Sequence, residues 1–337
     1  MGAVSQRLIK VQGARFEVLD GWRGISILSV LACHLLPLGP HALEINYAVG
    51  IFGMSLFFTL SGFLVTHFLI GRPQVIDFLI RRLFRILPLA WLYIVVVLSL
   101  NPVTLDVWMA HLFFYANYPP KPLIYITSHL WSLCIEMHFY IGLALLVTIF
   151  KKNGLLLIPL ICLAVTLARF VNHEYVSVIT HFRADEILAG GILALIYHRK
   201  LGYTLYNILH SSNYAYLGVL LLISCHPDSG FINYFRPYFA AMLVGSTLLN
   251  QHTKFAKILE HKWLFYLASI SFALYVIHPL LASTWLGSGD NIQKYSKRPL
   301  LLLVLFLFAH ISTFYYEQKM MRFGKKVSYK LRLGKVA

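Results

Sequence analysis

Long apolar stretches recur from one end of the 337-residue chain to the other, separated by short clusters of Lys and Arg. This alternation is the strongest limit on the fold. A backbone in hydrocarbon must pair its own N–H and C=O groups, which leaves helices or closed barrels. Crossing a core ~30 Å thick takes a helix of roughly 20 apolar residues. Residues 130–150 meet that length, and 25–38 and 299–315 approach it once tolerable flanking residues are added. The two-residue alternation of an outer-membrane barrel is absent. The chain is therefore expected to be all-α, a polytopic transmembrane helix bundle. Only 12% of its residues are charged, against about 25% for soluble domains, and its mean hydropathy is +0.69.

The apolar periodicity predicts about ten spans, at 22–40, 48–70, 77–100, 129–150, 154–171, 185–198, 214–225, 236–250, 263–286 and 299–317. Residues 1–320 form a single transmembrane domain on this reading, and 321–337 a basic cytoplasmic tail that holds the last span against anionic headgroups. Loop 101–128 carries Pro119, Pro120 and Pro122, and its apolar piece Trp108–Tyr115 lies in the interface or re-enters. No small-residue cleavage site follows the first apolar run, so the first span is expected to stay in the membrane. Cys33, Cys134, Cys162 and Cys225 form no CxxC pair and read as free thiols, with no metal site.

A formal charge of +16 invites a nucleic-acid reading. The basic residues, however, sit between apolar stretches, where topology determinants sit. With the N-terminus in the cytoplasm, alternation puts 22 of the 29 Lys and Arg inside. Among them are Arg7, Lys10, Arg15 and seven tail residues from Lys319 to Lys335. Seven remain outside: Lys121, Arg169, Arg183, Arg236, Lys294, Lys297 and Arg298. Both termini are expected to be cytoplasmic, with no nucleic acid as partner.

Ionisable groups at membrane depth mark function by default. Arg23 and His34 are eleven residues apart, which returns nearly to one helix face about 16 Å along. Arg82 and Arg85 share a face at the inner end of the third span, as a planar-donor pair suited to phosphate. Glu136 lies about two turns below the outer surface, at the depth of His34, and a carboxylate there would orient the imidazole. Arg183, Asp185 and Glu186, with His278-Pro279, form an outer group, and interhelical ties are the favoured reading for it.

Together these segments resemble the membrane acyltransferase-3 family of inner-membrane sugar O-acyltransferases. Leu19-Asp20-Gly21-Trp22-Arg23-Gly24 with His34 is similar to its opening Arg-then-His motif. The run Gly53–Leu64 is similar to its second-helix signature. Arg82, Arg85 and Pro88 resemble its third-helix arginine motif, and Trp131-Ser132-Leu133 with Glu136, Phe139 and Tyr140 its Trp-Ser-Leu block. Arg183, Asp185 and Gly190, then Ser271, Tyr275 and His278, echo later motifs. Met137 and His138 depart from the pattern, where relatives often carry a second acid and Gln.

The resemblance implies transfer of an acyl group, usually acetyl, from cytoplasmic acyl-CoA to a hydroxyl of an extracytoplasmic glycan, in the bacterial inner membrane. It implies acyl-CoA as donor substrate, with no permanently bound cofactor. Arg23, Arg82 and Arg85 are then the acyl-CoA-binding residues, and His34 and Glu136 the catalytic pair. Arg183, Asp185 and His278 lie on the acceptor side. Because the sequence ends soon after the tenth expected span, a stand-alone membrane domain is expected, without the hydrolase-like domain fused in some relatives. Two rivals use the same residues: a polytopic transporter of a glycan or small anion, and a non-catalytic scaffold. No two-fold similarity between halves favours the transporter.

Overall fold

The computed structural model describes residues 16–120 and 122–333, and of Arg332 and Leu333 the backbone only. Arg7, Lys10, Arg15, Lys121 and Lys335, counted in the charge balance, lie outside the described residues.

The chain begins with α1 (Glu17–Leu35), α2 (Ile45–Gly71) and α3 (Val75–Ser99). α1 ends five residues before the expected boundary. Leu36 precedes Pro37, and a residue before proline is pushed from the helical region; Leu36 is extended at φ −119°, ψ 147°. A short α4 (Leu105–Leu112) forms within the proline-bearing loop. α5 (Trp131–Phe150), α6 (Ile158–Val171) and α7 (Asp185–Tyr197) follow, then α8 (Tyr203–Ser211), α9 (Tyr214–Cys225) and α10 (Arg236–Leu249). The last third holds α11 (Lys254–Leu259), α12 (Lys262–Ala282), α13 (Asn291–Ser296) and α14 (Arg298–Ile311). A π-helical segment, Ser312–Glu317, leads α14 into α15 (Gln318–Leu333), so the expected tail is helical as far as it is described.

Among the described residues there is no strand. Six stretches are long and apolar enough to cross a bilayer, and the chain is a multi-pass membrane protein. One of them, Tyr125–Val171, contains two of the expected helices, and α8 with α9, bent by 89°, makes a possible seventh. α7, α9 and α10 have 13, 12 and 14 residues. That is a rise of about 20 Å each, short of the ~30 Å hydrocarbon core. Length and composition thus support six or seven of the ten crossings expected.

α2 is the centre of the bundle, packed against α1 on one side and α7 on the other, while α12 covers α1. The α2–α7 crossing depends on two glycines. A Cβ at Gly62 would meet the Ile187 carbonyl oxygen at 1.8 Å, and one at Gly190 the Thr59 carbonyl at 2.1 Å. With no hydrophobic drive between helices in lipid, such close backbone approach supplies the packing energy. Trp91, Leu92, Val95 and Val96 on α3 and Leu160, Leu163 and Leu167 on α6 are exposed, as a lipid-facing surface requires.

Candidate active site

Arg23 from α1 and Arg82 and Arg85 from α3 line one narrow cavity of about 50 Å³, together with Ser61, Glu136 and Tyr275. Two wider cavities adjoin it, both lined by Arg82 and Arg85. One, of about 420 Å³, extends to Phe16, Asp20, His67 and Arg72. The other, of about 280 Å³, extends to Arg81, Met321 and Lys325. The three arginines expected to group from sequence are therefore together.

Local structure holds them there. The i, i+3 spacing on α3 aims Arg82 and Arg85 at one side. Asp20, one turn before Arg23, lies 3.5 Å from its guanidinium. Arg82 lies over the Tyr140 ring, 5.8 Å from its centroid. Among the described residues, no carboxylate lies within ion-pair distance of Arg82 or Arg85. A cluster of forked donors at a cavity, two of them without a carboxylate in ion-pair range, is suited to phosphate oxygens.

Glu136 is buried and accepts hydrogen bonds from the Ser61 hydroxyl and the Tyr140 phenol on one carboxylate oxygen. It faces the arginine cavity. The expected pairing with His34 is not formed. Tyr140 is one turn along the same face of α5, and Ser61 presents itself from α2, so these hydroxyls engage the carboxylate first. Equal depth did not mean equal azimuth.

His34 lies in the last turn of α1 and is exposed. Its ring is 5.2 Å from that of His278 on α12. His278 in turn lies 5.5 Å from His129, just before α5. The His278-Pro279 dipeptide has a local consequence. Proline has no N–H, so the carbonyl four residues earlier, Tyr275, loses its helical donor. The Nδ1–H of His278 donates to that carbonyl at 2.8 Å. This fixes the tautomer and leaves Nε2 as an acceptor, buried and without a hydrogen-bond partner among the described residues. Tyr275 is itself anchored, its phenol donating to the His129 carbonyl and lying 2.6 Å from the Ser132 hydroxyl.

The narrow cavity runs from the arginines to Val30, Phe57 and Tyr275. Val30 is one turn before His34 and Tyr275 nearly one turn before His278. The cavity's described lining thus stops a turn short of the imidazoles.

Arg183 and Asp185 belong to a different place. Asp185 pairs with Arg169. Glu186 pairs with Arg236 at 2.7 Å and Arg183 at 3.3 Å, and accepts from Ser55 at 3.1 Å. All five ionic side chains are 0% exposed, and Arg183 lies over the Trp131 ring, 5.4 Å from its centroid. Arg183 and Asp185 therefore present no open face to an acceptor, and only His278 of that group meets His34. Arg169 and Arg236, counted from sequence among the outside charges, are the partners that were missed. The signal was available: two adjacent acids entering an apolar helix require cations, and these are the basic residues near that depth.

The fold and site are those of a multi-pass helical membrane protein with arginines at a cavity and an imidazole pair a turn beyond its lining. Comparison of sequences supplies the family. The model of the Acyltransferase domain family matches residues 16–317, and the chain belongs to that family. Over 319 residues it is 28% identical to O-acetyltransferase OatA of Staphylococcus aureus, covering 81% of this chain and 52% of that protein. It is 29% identical over 252 residues to the putative peptidoglycan O-acetyltransferase YrhL of Bacillus subtilis, covering 60% of this chain and 38% of that one. The chain spans about half the length of the first of these relatives. No solved structure matches it.

Proposed function

We propose that this protein is an integral membrane O-acyltransferase that moves an acyl group, acetyl above all, from cytoplasmic acyl-CoA to a hydroxyl of an extracytoplasmic glycan. One observation carries the reading: arginine-lined cavities adjoin a narrow one whose lining ends a turn short of the His34–His278 pair. The family and the O-acetyltransferase names of the relatives support acetyl as the group, and peptidoglycan is one acceptor class they suggest.

In this reading Arg23, Arg82 and Arg85 hold the donor's phosphates, and the slim thioester arm follows the narrow cavity past Glu136 and Tyr275. His34 is the general base. It takes the proton of the acceptor hydroxyl as the oxygen attacks the thioester carbonyl. The tetrahedral intermediate collapses, the C–S bond breaks, and the CoA thiolate leaves with that proton returned to it or to solvent. His278 Nε2, an acceptor without a partner among the described residues, would take an N–H from the nearby His34 ring as the acceptor hydroxyl enters and keep the other His34 nitrogen basic toward it. Glu136 serves as counter-charge to the arginines and fixes Tyr140 and Ser61 in the passage wall.

The expected topology of ten crossings, both termini cytoplasmic, in a bacterial inner membrane is part of the same proposal. The outer ionic network supports it. Arg169, Arg183 and Arg236 are matched against Asp185 and Glu186, so the positive charge left on the outer side is smaller than the sequence count suggests.

The test is transfer by purified protein in vesicles, with labelled acetyl-CoA on the arginine side and an oligosaccharide acceptor. Label recovered as an O-acetyl ester supports the enzyme. Label that stays on CoA while acceptor or anion moves across the vesicle supports a transporter and ends the proposal.

A further inference from the structure

The family match ends at residue 317, yet α15, residues 318–333, forms one wall of a cavity that shares Arg82 and Arg85 with the passage. Three contacts fix this helix to α3. Ser328, buried, donates to Asp77, which also accepts from Arg81 at 2.6 Å. The Phe323 and Phe84 rings meet edge-on at 5.6 Å. Gly324 sits so close to Phe84 that an added Cβ would stand 2.6 Å from its Cβ. α15 is thus docked by specific contacts, as well as being amphipathic, and the docking puts Lys325 at the cavity beside Arg81, Arg82 and Arg85.

Among the described residues this cavity is lined by four bases and no acid. Asp77, the acid of this corner, is engaged by Arg81 and Ser328. Among the described residues no carboxylate pairs with Lys325, Arg82 or Arg85. The Arg82–Arg85 pair therefore has a cation-lined cavity on each side: one toward Arg23 and Arg72, the other toward Lys325. Two anionic centres joined by a short linker would fill both. Acyl-CoA has that form, with a diphosphate and a separate phosphate monoester on its ribose.

We propose that α15 completes the donor site, and that Lys325 binds a phosphate monoester of the donor while the diphosphate lies on the Arg23 side. This rests on acyl-CoA being the donor. An anionic lipid headgroup offers the same phosphate chemistry, so the experiment separates the two sources.

Binding is measured on the full chain in neutral detergent, using CoA and 3′-dephospho-CoA as probes, for the unaltered protein, Lys325→Gln and Lys330→Gln. Lys330 is exposed on the same helix and does not line the cavity. A charge-assisted hydrogen bond predicts about tenfold tighter binding of CoA than of its dephospho form. Lys325→Gln is expected to remove that preference and leave dephospho-CoA binding unchanged, while Lys330→Gln changes neither. A preference that survives Lys325→Gln overturns the assignment. Equal binding of the two probes by the unaltered protein overturns it too, and leaves the donor reading standing. Failure to bind either probe ends both. In vesicles of phosphatidylcholine with and without phosphatidylglycerol, a Lys325→Gln effect seen only with the anionic lipid assigns the phosphate to a headgroup and overturns the donor role.

Discussion

Two polar regions lie within the bundle, and both are built on arginine. One, around Asp185 and Glu186, is sealed: each guanidinium meets a carboxylate, and every ionic side chain is fully buried. The other, around Arg82 and Arg85, opens onto three cavities, and among the described residues no carboxylate stands within ion-pair distance of either guanidinium. A buried charge needs its partners supplied by the fold, whereas a charge facing a cavity can take its partner from a substrate. Arginine at membrane depth is therefore no functional signal until its counter-charges are counted.

The largest effect that tests this division is chemical. His34→Ala is expected to reduce kcat by about 10²–10⁴-fold, the usual contribution of a general base, with the melting temperature in detergent unchanged. Wild-type turnover in this variant removes His34 from the chemistry and leaves the open region without its reactive end.

Next comes the sealed region. Glu186→Ala strands Arg183 and Arg236 without their carboxylate, and breaking one partner of a buried pair costs about 3–5 kcal/mol. The expected result is a large fall in thermal stability and yield, read by melting in detergent, with donor KM unchanged in the protein that survives. A stable Glu186→Ala protein whose only defect is a raised KM would place the network in substrate binding and dissolve the comparison.

Arg85→Ala sharpens the other side. Loss of one phosphate contact worth about 1.5–3 kcal/mol should raise KM for acyl-CoA roughly 10–100-fold, with stability little changed because Arg85 has no carboxylate within ion-pair distance among the described residues and Glu136 keeps its Ser61 and Tyr140 donors. An unaltered KM with lowered stability would make this cluster structural after all.

How far the sequence carried these conclusions differs by region. The apolar periodicity is enough to find the helices, since burial and lipid exposure write the same signal at every turn. The Arg23, Arg82 and Arg85 grouping was legible because all three sit near the same end of the first and third spans. The partner of Glu136 was not. Depth follows from counting residues, but rotation about the helix axis depends on packing such as the Gly62–Gly190 crossing, which no local pattern encodes. Arg169 and Arg236 were misread for a related reason: they lie at helix ends, where a loop charge and a buried tie look alike in sequence. α15 was read as a tail because its charges hide the Ser328 and Gly324 face that docks it.

The smallest expected effect asks whether the imidazole pair is set by backbone geometry. Pro279→Ala restores an N–H that competes with His278 Nδ1 for the Tyr275 carbonyl. If the tautomer of His278 matters, His278 spends part of its time with the wrong nitrogen protonated, and kcat should fall about 3–10-fold, since a net hydrogen bond of about 1 kcal/mol shifts such a balance by roughly that factor. Donor KM should not move, because the arginine cavities are untouched. His278→Gln should lower kcat further, its amide being a poor substitute for an imidazole acceptor. Equal activity of Pro279→Ala and the parent, with His278→Gln impaired, would keep the histidine and discard the proline's part in aiming it. Full activity in both would leave His34 to work without this neighbour, and the open region would then owe its chemistry to one imidazole alone.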